Sequence, residues 1–134
     1  MDAYLTPDAR LALQALAVTS GRAASAGFLI GHVRGGRFIV EGLVPAASPT
    51  TISDPEIFFR LDALYAGRII GFFLAASAAS ARKPLLRPHA CGKLVLAARK
   101  TPSGRSAWKG FLIEFDGEFS FARAQIISET ERKP

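Results

Sequence analysis

His89-Ala90-Cys91 places an imidazole two positions from a thiol, the closest pairing of reactive side chains in the chain. Two ligands at that spacing suit a soft metal, and an imidazole beside a thiol can draw off its proton to make a nucleophile. No carboxylate or second cysteine stands near them, and cysteine often serves simply as a small packed side chain. His32, the other histidine, falls inside an apolar run and reads as a satisfied or solvent-facing side chain. Glu114, Asp116 and Glu118 alternate as a hydrolytic carboxylate pair would, but Asp116-Gly117 is a strong turn signal that leaves the two glutamates on its flanks. Gly31, Gly35 and Gly36 lack the spacing of a phosphate cradle and lead into a strand rather than a helix.

Charge adds a second theme. The chain carries 17 Lys and Arg against 11 Asp and Glu, a net +6, and no acid stands between Asp62 and Glu114. That gap holds Arg68, Arg82, Lys83, Arg87, Lys93, Arg99, Lys100, Arg105 and Lys109. Gathered on one side they would draw phosphate, nucleic acid or an acidic protein surface. Spread out they are only a solvated face, and the aromatic–basic interleaving of single-strand binders is missing.

The elements that would hold these residues are legible from pattern. Thr6-Pro7-Asp8 starts a helix over residues 7–20, with Leu5, Ala9, Ala12, Leu13 and Leu16 as its apolar stripe and Gly21 as its stop. Residues 27–33 and 37–44 flank Gly35-Gly36 as a hairpin, apolar on both faces and therefore covered on both. Ser53 and Glu56 are spaced as a capping box for a second helix, with Ile57, Phe58, Leu61, Leu64 and Tyr65 buried and Gly67 as its end. Strands follow over 68–75, 93–98, 108–115 and 118–127, with a loop over 77–92 and a polar, frayed tail over 128–134. Most phenylalanines fall at core spacing. Trp108, at a strand start between Ser106 and Lys109, reads as an interface anchor.

An opening helix, the strand Gly27-Phe28-Leu29-Ile30-Gly31, a long hairpin, and a helix leading to Gly71-Phe72-Phe73 together resemble the JAB/MPN domain over about residues 5–127. The resemblance implies an α+β fold of the JAB/MPN (cytidine-deaminase-like) kind, a mixed, mostly antiparallel β-sheet flanked by helices. Active members hold zinc with two histidines and an aspartate and use a glutamate as general base. The matching positions here are Ser25 for the glutamate, Leu74 and Ala76 for the histidines, and Arg87 for the aspartate. None can ligate zinc or take a proton from water. By resemblance the chain is a degenerate, metal-free member without cofactor, an interaction or assembly module rather than an enzyme. Its expected contact surface is the segment from Leu74 to Ser80, rimmed by Arg82, Lys83 and Arg87. The expected occupant is a second copy or an acidic protein partner. A hydrolase with a relocated site using His89, Cys91 or His32, and a nucleic-acid binder using the basic stretch, are the alternatives.

Size and composition bound the rest. At 134 residues, with 49% apolar and 21% charged residues, the chain has the make-up of one globular domain over 1–134. One cysteine excludes an internal disulfide. The longest uncharged run, Ile69 to Ala81, is 13 residues, short of the ~20 a membrane helix needs. Asp2 and Asp8 sit where an export signal wants positive charge. A soluble cytoplasmic protein is expected.

Overall fold

The computed structural model describes residues 2–18, 26–46, 48–75, 82–100 and 106–128. Seven strands, β1 (Asp2–Leu5), β2 (Ala26–Arg34), β3 (Arg37–Ala46), β4 (Ile69–Leu74), β5 (Leu94–Lys100), β6 (Ser106–Phe115) and β7 (Phe119–Ser128), close into a barrel in the order β1-β3-β2-β4-β5-β6-β7. Outside the wall lie three helices, α1 (Pro7–Val18), α2 (Pro49–Ile52) and α3 (Pro55–Leu64), and a 3-10 turn at Pro88–Ala90.

The seam is β1. It pairs in parallel with β3 on one side, Ala3 opposite Phe38, and with β7 on the other, Ala3 opposite Ile126. Its apolar residues alternate, so Ala3 and Leu5 are buried while Asp2 reaches Arg37 at 3.4 Å. Sequence pattern assigns Leu5 to the α1 stripe instead. Thr6 separates the two elements, and its hydroxyl accepts from the Ala9 N–H at 3.2 Å, the expected helix cap.

The barrel wall has two apolar faces. One carries Leu29, Phe38, Val40, Phe73, Leu94, Leu96 and Ala124, together with Ala9 and Leu13 of α1, and receives side chains from all seven strands. The other carries Phe28, Ile69, Phe72, Val95 and Ile113 and is roofed by Ile52, Phe58, Leu85 and Ala90. β4 is therefore buried at every position, as an apolar strand with covered faces must be. Curvature has identifiable sources. β2 changes register at Leu29/Ile30 and Ile30/Gly31, and a Cβ on Gly71 would run into the Leu94 carbonyl of β5. Bulges and close-packed glycines are how a sheet coils tightly enough to close.

The JAB/MPN resemblance and the open α+β sheet it implied are corrected by this closure. What overturns them is a short N-terminal strand that sequence pattern leaves unassigned: β1 pairs with both β3 and β7 and so joins the two edges of the sheet. The order of helix, glycine-rich strand and hairpin is a local signal, and it does not encode which strand edges meet. The expected second helix forms as α3, and the one-turn α2 ahead of it is an element that sequence pattern leaves unassigned. Ser53 lies between α2 and α3, and Leu64, expected in the buried stripe, ends α3 at 76% exposure. Residues 82–85 form a helical turn inside the segment read as loop. The expected helix stop at Gly21, the turn at Thr101–Gly104 and the tail from 129 lie outside the described residues.

Candidate functional site

α3 and the 3-10 turn build one open cleft between them. Its lining is Pro55, Phe59, Arg87, Pro88 and His89, enclosing about 320 Å³. Pro55 occupies the first turn of α3, where its fixed φ is already helical, and the preceding Asp54 becomes the cap: its carboxylate accepts from the Glu56 N–H at 2.9 Å. Ser53 instead donates its hydroxyl to the Thr50 carbonyl at 3.1 Å. Phe58 and Phe59 are neighbours on the helix and cannot both face the core. Phe58 is buried, and Phe59 stands 60% exposed over the cleft. Across from it, Arg87 precedes the 3-10 turn and ties that wall to the α2–α3 junction by donating to the Ser53 carbonyl at 3.2 Å.

His89 forms the floor. Its ring lies 5.2 Å from that of Phe58 and 6.2 Å, edge-on, from that of Phe72, and its Nε2 is buried without a hydrogen-bond partner. Burial pushes its pKa below the ordinary value of 6.5, with the Arg87 charge acting the same way and the Ile52 carbonyl and Asp54 opposing. A neutral imidazole wedged between aromatic rings is part of the packing. Cys91 is exposed just beyond it, its backbone N–H bonded to the Pro88 carbonyl. His32 lies elsewhere, on β2, with Nδ1 2.9 Å from Glu41, which also receives Arg68 at 2.8 Å.

The other expected site residues are scattered. Leu74 is fully buried with Leu85 and Ile52, whereas Arg87 is exposed at the cleft; Ser25 and Ala76 lie outside the described residues. The expected contact surface from Leu74 to Ser80 thus begins in the core, and its remainder from 76 is also outside them. Arg82 stacks on Phe111, 4.4 Å from the ring centre, and over Phe121 at 5.4 Å, while Lys83 is exposed. Trp108 is half-buried against the all-strand core face and lines a shallow groove of about 400 Å³ with Lys109, Gly110 and Arg123 to Ile126.

Two exposed aromatics carry more of the surface than the sequence reading gave them. Phe59 is one. Phe115, at the tip of the β6–β7 hairpin, is 58% exposed and packs only partly on Phe119, ring centres 4.8 Å apart. The signals were present: Phe59 falls outside the stripe of Phe58 and Leu61, and Phe115 abuts the Asp116-Gly117 turn, where a strand runs out of neighbours.

No protein-family model and no curated protein matches this chain. Among solved structures it is similar to the solution structure of protein DSY2949 from Desulfitobacterium hafniense, a structural genomics target. The match has a TM-score of 0.64 and covers 95% of this chain and 92% of that one at 18% sequence identity. The likeness is one of fold. Among the described residues no helix is long and apolar enough to cross a membrane, and no three His, Cys, Asp or Glu converge on a point.

Proposed function

We propose that this protein is an interaction module whose cleft between α3 and the 3-10 turn seats an apolar side chain of a partner protein, with a neighbouring carboxylate of that partner on Arg87. The observation that carries the reading is the exposed ring of Phe59 facing Pro88 across an apolar hollow with one cation at its rim. An aromatic anchor, an arginine and desolvated walls are the ingredients of an interface hot spot. Three cations of the acid-free stretch are engaged locally: Arg68 pairs with Glu41, Arg82 stacks on two rings, and Lys93 donates to the Ile69 carbonyl at 3.1 Å.

A displayed peptide library panned against the wild-type chain tests this. Enriched peptides should carry a bulky apolar residue next to Asp or Glu. Phe59→Ala and Arg87→Glu should each weaken their binding by at least about tenfold in fluorescence anisotropy. No enrichment, or peptides that bind both variants as well as the wild type, would overturn it.

A further inference from the structure

The β6–β7 hairpin tip has the chemistry this cleft asks for. Glu114, Phe115, Asp116, Gly117 and Glu118 are all exposed, so an aromatic ring covered only on the Phe119 side lies among three carboxylates in a chain whose net charge is +6. The turn that presents them is fixed by Gly117 at φ 77° and by the Asp116 N–H bonded to the Glu118 carbonyl at 3.0 Å. Neither carboxylate flanking Pro55 is paired with Arg87, which donates to the Ser53 carbonyl. Asp54 is occupied by the Glu56 N–H and Glu56 by Arg60 at 2.8 Å.

Tip and cleft also share one end of the barrel. The Gly92 N–H donates to the Ile113 carbonyl at 2.7 Å and the Ile113 N–H to the Lys93 carbonyl at 3.0 Å. The chain thus passes residues 92 and 93 only two positions before Phe115, and those residues directly follow the Arg87–His89 wall. Two features on the same end permit a two-fold axis to bring the tip of each copy to the cleft of the other. One such contact is small beside the roughly 800 Å² per partner of a specific interface, and reciprocity doubles it.

We infer that the partner is a second copy of this chain: a symmetric dimer in which Phe115 of each protomer fills the other's Phe59 cleft and Asp116 or its flanking glutamates meet Arg87. The inference rests on the interaction-module reading and names its occupant.

Sedimentation equilibrium tests it with two variants, Phe115→Asp (tip spoiled, cleft intact) and Phe59→Asp (cleft spoiled, tip intact). The wild-type chain should sediment at about twice its 14.3 kDa mass. Each variant alone should be monomeric, with dimer dissociation raised at least about tenfold. An equal mixture of the two should regain part of the dimer, because one of the two tip-in-cleft contacts survives in the mixed pair. Circular dichroism melts confirm that each variant folds. As the second measurement, the double exchange Asp116→Arg with Arg87→Glu should associate more tightly than Arg87→Glu alone. A wild-type chain that stays monomeric to about 1 mM, or dimers indifferent to both single variants, would overturn the inference. So would a mixture no more dimeric than its components. If Phe115→Asp still binds library-selected peptides while the wild type is monomeric, the dimer fails and the cleft reading stands.

Discussion

His89 has a consequence that can be measured through stability. The unfolded chain takes up a proton as pH falls through the ordinary histidine value, while the folded ring, lodged between Phe58 and Phe72, resists protonation until a lower pH. The unfolded state therefore binds more protons in that window, and stability falls as pH drops from about 7 towards 5. Urea midpoints should decline over this range in the wild type and stay flatter in His89→Phe. That variant removes a buried nitrogen without a partner but also the ring's hydrogen bond to the Ile52 carbonyl, so no net gain in stability is expected at neutral pH. Glu41 works in the same direction at lower pH. Its hydrogen bond to His32, and then Arg68, hold its pKa below 4.5 against the opposing effect of burial. What it contributes is present above that value and is lost as the carboxylate protonates. Because the group is partly solvated, Glu41→Gln should cost under about 1 kcal/mol near pH 7.

α3 shows how a single proline moves a boundary. The pattern Ser53…Glu56 reads as a capping box, yet Pro55 fits the first helical position so well that Asp54 takes the cap. Asp54→Ala should cost about 1 kcal/mol, and Ser53→Ala should leave α3 in place, both read from thermal melts and helix signal. Hairpins were the most legible elements. Gly35 and Gly36, at φ 58° and 74°, and Asp116-Gly117 announce their turns through residues that tolerate positive φ. β1 was not legible, because four residues with a helix cap immediately behind them carry too little period to register, and a strand's partners are not written in its own sequence. The cleft was half legible: Arg87 was singled out for a different reason, while Phe59 was absorbed into an expected core. Ala3→Asp, placing a carboxylate at a fully buried seam position, should expose amides of β3 and β7 to hydrogen exchange well before those of β4.

Closure makes the barrel intolerant of added bulk where its backbones approach most closely. Gly71→Ala would set a methyl against the Leu94 carbonyl, with β4 buried on both faces and unable to move aside. About 1–3 kcal/mol of destabilisation is expected, read from urea melts, with Gly42→Ala, where nothing lies within 4 Å of the added atom, as the tolerant control. The N-terminal strand also protects its neighbours. Held between β3 and β7, it leaves the circuit without a bare border; detached, it would uncover two at once, each offering unpaired amides and carbonyls. Those four residues thus shield two edges that would otherwise be open to another molecule. Removing residues 2–5 should favour fibrillar growth or strand exchange between molecules long before the rest of the fold gives way.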